Sequence, residues 1–261
     1  MSGSPANGPH FERLRAIHRR MPFEEFQQLP HRLGWRHEYY GGKAHITPGP
    51  TLVTFVLPLE PRPVQACPGI RPLSEKDLQA LHFPFMDAFR LAPEYADYTL
   101  DEFRQRTAQY LHGFFGTARG EWSPVSVVVE VQGRIVGAAM VKQRRNGPLL
   151  DCLFVCPDLA RQGLGTALVN RIVEELRQGG EAQLVSYAML ANDASIAWHH
   201  RFGFREIPDF FVSSLRHRFF FHELERHRHL GDLSLAELAA LEETVARYEA
   251  EVERLRQKVE E

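Results

Sequence analysis

The sequence predicts an α/β (α+β) fold, a sheet flanked by helices, and three observations carry that expectation. Runs such as VSVVVEV, RIVGAAMVKQ, PLLDCLFV and QLVSYAML are apolar and β-branched, as strands are. Other stretches place apolar residues at steps of three and four, the spacing of one helix face. The two patterns interleave from residue 70 to residue 221 in the order β-α-α-β-β-β-α-β-α-β. Helices and strands that alternate in this way pack as layers.

The elements follow in order. Residues 1–21 are expected to be a disordered or loosely packed tail, because the first ten are mostly Gly, Ser, Pro and Asn. A short amphipathic helix is predicted from Pro22 to Leu33, with Phe23, Phe26 and Leu29 on one face and Gly34 ending it. WRHEYY and KAHIT, joined by Gly41-Gly42, read as a hairpin. TLVTFVLPL (51–59) reads as a third strand, and the proline-rich stretch 60–69 as a linker. Residues 22–67 thus form a small α/β appendage, too short to bury a core of its own and expected to dock on another part of the chain or on a partner.

A central region, 68–222, follows. Ser74-Glu75-Lys76-Asp77 starts a helix that continues despite Pro84, and a second helix is predicted from Leu100 to Phe115. VSVVVEV, Gly133 and RIVGAAMVKQ form a hairpin, and PLLDCLFV (148–155) is the next strand. A helix over 164–177, the strand 183–190, a helix over Ala194–Phe202 and β-leaning runs over 204–221 complete the region. In the last segment, 223–261, Ser234 and Glu237 make a capping box. After it Leu238, Leu241, Val245, Tyr248, Val252, Leu255 and Val259 form a heptad seam. That seam fits either a helix lying on its own chain or a coiled coil between two copies.

Composition narrows the function. Lys plus Arg total 31 and Asp plus Glu 33, a net charge of -2, which argues against general nucleic-acid binding. No run reaches the length of a membrane-spanning helix, and the N-terminus lacks the pattern of a secretory signal. Cys67, Cys152 and Cys156 form no CxxC pair and read as free thiols in a reducing cytoplasm. His217, His222, His227 and His229 match no zinc spacing, so no metal is expected.

The most informative stretch is LDCLFVCPDLARQGLGTALVNRIVEEL, residues 150–176. A strand ends in Val-Cys-Pro, and a loop with Gly163 and Gly165 then feeds a helix. Free N–H groups at such a helix start, with its dipole, bind phosphate. The loop is neither a Walker loop nor a full dinucleotide fingerprint. VCPDLARQGLGTALV resembles motif A of the GNAT superfamily, the acetyl-CoA-dependent N-acetyltransferases. NDASIAWHHRFGF (192–204) is similar to that family's second motif, and IRPLSEKDL (70–78) to its first strand and helix.

The resemblance implies a mixed, mostly antiparallel sheet, with 68–222 as the acetyltransferase domain. It implies acetyl-CoA as acyl donor and a small-molecule or peptide amine as acceptor, attacked directly in a ternary complex. Backbone groups of Phe154 and Val155 would hold the pantetheine arm. The amides of Arg161, Gln162, Gly163, Leu164, Gly165 and Thr166 would cradle the pyrophosphate, with the Thr166 hydroxyl adding a donor. Asn192 would contact the pantetheine side. The family's usual Arg or Gln at the head of the loop falls on Ala160, and its usual Tyr acid on His199. The residues alone leave His199 open between donating a proton and packing within its helix. The amine needs a base, for which Asp151 leads and Glu130 on VVVEV follows; each also fits a solvent-facing strand residue. The alternative is an acyl-CoA-binding regulatory or assembly protein without catalysis, and the C-terminal helix allows a homodimer.

Overall fold

The computed structural model describes residues 16–62, 67–116 and 121–260; residues 1–15 of the expected tail and 63–66 of the expected linker lie outside them. Strand β1 (Ile17–Arg20), helix α1 (Phe23–Gln27), β2 (Trp35–Tyr40), β3 (Lys43–Pro48) and β4 (Leu52–Pro58) come first. β5 (Ile70–Pro72), α2 (Leu78–Phe89) and α3 (Leu100–Phe115) follow. Then come β6 (Glu121–Trp122), β7 (Val127–Val131), β8 (Arg134–Arg144) and β9 (Gly147–Val155). The rest is α4 (Leu164–Gln178), β10 (Gln183–Met189), α5 (Asp193–Phe202), β11 (Arg205–Ile207), α6 (Phe210–Leu230) and α7 (Leu235–Glu260). Sheets flanked by helices are the architecture that the patterns predicted.

Contacts divide the chain into two compact units. One holds Phe55–Tyr187 and Ala197–Arg205. Its sheet runs β11-β4-β10-β9-β8-β7-β5, with β6 beside β8. The β5-β7-β8-β9 part is antiparallel, and β9 with β10 is parallel. On one face Leu81 and Phe85 of α2 and Phe103, Leu111 and Phe114 of α3 bury against Ala138, Met140, Cys152 and Phe154. Alternation turns Val155 to the other face, where α4 packs with Leu168, Val169, Ile172, Val173 and Leu176 buried. Thr99 and Glu102 close a capping box at the start of α3. At its end the buried Lys142 ammonium donates to the carbonyls of Phe114 and Gly116.

The second unit holds Ala16–Thr54, Ala188–Ile196 and Glu206–Glu261. Its sheet is β1-β3-β2, antiparallel throughout, and Gly41 and Gly42 turn the predicted hairpin with φ of 59° and 70°. β1 was not anticipated, and the expected helix over 22–33 shrinks to α1. The β-leaning runs expected over 204–221 are corrected more heavily: beyond β11 the chain is helix α6. Asp209 caps it by accepting from Phe211 N at 2.9 Å and Val212 N at 3.0 Å. Its buried side carries Ser213 and Arg216 beside Val212 and Leu224, so hydropathy shows no helical period. Ser213 bonds Glu251 of α7, and Arg216 pairs with Glu206. The seam of α7 packs on α6 of the same chain, where Val245 is buried and Tyr248 stacks on Phe220 at 5.5 Å.

Candidate active site

Strand β9 is laddered to β8 along its length, but to β10 only at Leu149–Val185 and Leu150–Ser186. Past that rung β9 and β10 part. Met140 faces Cys152 and Val141 faces Leu150, so Asp151 is the extra residue of a β-bulge at the parting point. A bulge of this kind presents two consecutive side chains to the same neighbour, here Tyr110 of α3. The Tyr110 hydroxyl donates to Asp151 Oδ2 at 2.7 Å. Burial, reinforced by Cys152 and Asp151, raises the Tyr110 hydroxyl well above its ordinary range, so it stays protonated. Burial likewise raises the Cys152 thiol and keeps it neutral.

Beyond the bulge, Phe154 packs on Phe85 and Phe89, with ring centroids 5.7 and 6.2 Å away. The chain leaves β9 through a tight turn at Pro157–Leu159 and reaches α4 by a loop with two left-handed residues, Arg161 (φ 62°) and Gly163 (φ 82°). For a residue with a Cβ that conformation is uncommon, and at Arg161 it is a local strain the sequence does not announce. Gly163 caps α4 without a side-chain partner. The first N–H groups of the helix, at Leu164, Gly165 and Thr166, therefore stand without intrahelical acceptors at its positive end. Arg161, Gln162, Gly163 and Thr166 are exposed. An anion fits at residues 161–166, ten to fifteen residues along the chain from Asp151 at the parting of the strands.

Residues 84–204 match the profile of the acetyltransferase (GNAT) family. This segment is a GNAT domain. Among curated relatives, the [ribosomal protein bS18]-alanine N-acetyltransferase of Escherichia coli is 34% identical over 74 residues, 28% of this chain and 50% of that protein. The Shigella flexneri protein of the same name matches equally. The chain thus spans about half the length of the curated relatives it matches. Among solved structures, the PaiA N-acetyltransferase of Thermoplasma acidophilum with coenzyme A has a TM-score of 0.42 at 16% identity, over 52% of this chain and 88% of that one. The ribosomal-protein-S18-alanine N-acetyltransferase of Escherichia coli has a TM-score of 0.41 at 24% identity, over 53% and 78%.

The other expected residues lie as follows within the matched segment. Glu130 accepts from Arg71 at 3.0 and 2.6 Å, and the same guanidinium forks onto Asp77 at 2.8 and 2.7 Å. Its carboxylate is thus committed to an ion pair rather than to the bulge. His199 is 5% exposed, stacks on Phe55 at 4.5 Å, and places Nε2 2.9 Å from Ser186 Oγ. Ser186 Oγ in turn lies 3.3 Å from the Leu150 carbonyl, so the hydroxyl donates there and His199 donates to the hydroxyl. Asn192 caps α5 through its Oδ1, which accepts from Ser195 N at 3.0 Å. Tyr110 is the residue that sequence reasoning missed; a hydroxyl on an apolar helix face needs a partner, and that was the available signal.

Among the described residues, Asp87, Cys156 and Asp158 bring a thiol and two carboxylates within 4.8 Å of one another. Burial and the neighbouring Asp87 raise the Cys156 thiol, which disfavours the thiolate a metal would need. No helix of the described residues is long and apolar enough to cross a membrane.

Proposed function

We propose that the protein transfers an acetyl group from acetyl-CoA to a primary amine by direct attack in a ternary complex. The observation that carries the reading is the juxtaposition at the end of β9. Asp151 stands on a bulge where β9 and β10 part, and an uncapped helix start with a left-handed glycine lies a short loop away. The unpaired edge of β9 at Phe154 and Val155 holds the pantetheine arm, with Asn192 contributing, and the 161–166 amides hold the pyrophosphate. Asp151, fixed by Tyr110, accepts a proton from the ammonium, directly or through water. The free amine attacks the thioester carbonyl, the C–S bond breaks, and the CoA thiolate takes a proton, for which His199 through Ser186 is the proposed donor. The peptide α-amine named in the bS18 relatives is the first acceptor class to try.

The test is thiol release from acetyl-CoA with a panel of amines, including peptides with a free N-terminal alanine, polyamines, aminoglycosides and lysine peptides. Release that rises with one amine class supports the proposal. CoA binding with no amine-dependent release by any class favours an acyl-CoA-binding regulatory or assembly protein instead. The protein acting in the cytoplasm as a monomer or as a homodimer through α7 is compatible with the same chemistry.

A further inference from the structure

Two histidines meet on the three-stranded sheet of the second unit, and neither serves the acetyl transfer proposed above. His18 on β1 and His45 on β3 are 27 residues apart in sequence, and the antiparallel register sets them directly opposite each other. Their Nδ1 atoms lie 2.9 Å apart, with the ring planes at 65° to each other. Nε2 of His45 is buried without a hydrogen-bond partner among the described residues, so Nδ1 is the nitrogen this ring offers to a ligand. Tyr40 stacks on the His45 ring at 4.0 Å and 2°, which fixes the orientation of the ring. Glu38 of β2 is the other cross-strand neighbour of His45. Glu38, His45 and His18 therefore form one row on one face of the sheet. Arg20 and Lys43 lie two residues further along that face and are exposed, where solvent screens their charge.

Two imidazole nitrogens this close either share one proton or hold one metal ion. Metal–nitrogen bonds of about 2.0–2.1 Å to a common centre place the nitrogens about 2.9 Å apart at a right angle, and about 3.3 Å apart at the tetrahedral angle. The observed spacing is that of neighbouring ligands in a tetragonal site, the geometry of divalent copper, rather than in a tetrahedral zinc site. We propose that His18 and His45 bind one divalent copper ion through their Nδ1 atoms, with water in the remaining positions and Glu38 as the acid of the same row. With His18 as donor, the shared proton moves on metal binding to Nε2 of its own exposed ring. The ion ties β1, an edge strand of four residues, to β3. A ligand held only by the folded sheet stabilises that sheet.

Calorimetry of the untagged full chain with copper(II) chloride and with zinc chloride tests it. One equivalent of copper should bind, and zinc should bind at least about tenfold more weakly. His18→Gln, at an exposed position, and His45→Gln should each weaken copper binding at least about tenfold, since each removes one of two ring ligands. His227→Gln, on α6, should leave copper affinity unchanged. Electron paramagnetic resonance of the one-to-one complex should show a tetragonal signal with two ring nitrogens. Copper should also raise the melting temperature of the unaltered chain and not that of folded His18→Gln protein. CoA binding by both variants should match that of the parent. Copper affinity that persists in folded His18→Gln and His45→Gln proteins overturns the proposal, as does a signal without two ring nitrogens. Loss of copper in His227→Gln protein alone overturns it too and moves the ion to α6.

Discussion

Tyr110 and Asp151 are 41 residues apart in sequence and 2.7 Å apart in space, hydroxyl to carboxylate, across the interface of α3 with β9. The donor stays protonated because burial raises it, so the carboxylate keeps a fixed orientation through the neutral pH range. Asp151→Asn should lower turnover by about 10² to 10⁴ and leave CoA affinity unchanged, since general base catalysis typically contributes that much. Tyr110→Phe should lower turnover less, by about tenfold, and cost about 1 to 2 kcal/mol in urea unfolding for the lost charged hydrogen bond. Full activity of a folded Asp151→Asn protein would make this carboxylate structural.

Gly163 separates conformation from binding. A Cβ there meets nothing within 4 Å, so the price of Gly163→Ala is the left-handed backbone alone, about 1 to 2 kcal/mol. Gly163→Glu should fold equally well yet bind CoA at least tenfold more weakly, because it adds a negative charge at the cradle. Calorimetry giving the same CoA affinity for both variants would move the pyrophosphate elsewhere.

The unit containing β2 should weaken in mild acid. Burial first, and then the charges of His31 and Arg32, lower the His37 pKa to about 4, with Glu223 opposing. The folded value lies below the unfolded one of 6.5, so only the unfolded chain takes up the proton between them. Stability should therefore fall as pH drops from 6.5 toward 4. His37→Gln should flatten that part of the curve in thermal melts at stepped pH. An unaltered slope would mean that His37 titrates normally in the fold.

Arg71 predicts a different pH window. Its hydrogen bonds hold the Asp77 carboxyl below its usual value of 3.8. A depressed folded pKa gives stability that is complete above the unfolded value and lost as pH falls through the folded one. Asp77→Asn should thus destabilise the protein at neutral pH, and the gap between variant and parent should close in stronger acid. Denaturant titrations that show a constant gap would assign the loss to packing instead.

For α7, removal of residues 234–261 should uncover the α6 face that carries Ser213, Arg216 and Phe220 and lower the melting temperature. Light scattering reads the other possibility, because a mass that halves beyond the deleted residues would mark the seam as intermolecular.

What the sequence made legible was local. Gly41-Gly42, the Ser234–Glu237 box and the glycine loop before α4 each declare themselves within a few residues, because turn and cap chemistry acts at that range. The parting of β9 from β10 is invisible in sequence, since it depends on a register between strands separated by a helix. The bulge at Asp151 is hidden for the same reason, although the residue itself was singled out. The ion pair of Glu130 with Arg71 was not legible, because the two residues are 59 apart in sequence. α6 misled because it buries an arginine and a serine where a period of apolar residues was sought.

The unit built from β1, β2, β3, α6 and α7 draws on both ends of the described chain, with Phe55–Tyr187 lying between its pieces in sequence. During synthesis its three-stranded sheet leaves the ribosome well before α6 and α7, the helices that share its unit. A nascent chain halted before residue 206 holds every element of the profile-matched segment but leaves that sheet without its helices. Quality control by chaperones should therefore act on the early sheet, and slow translation of the middle of the message should lengthen its exposure.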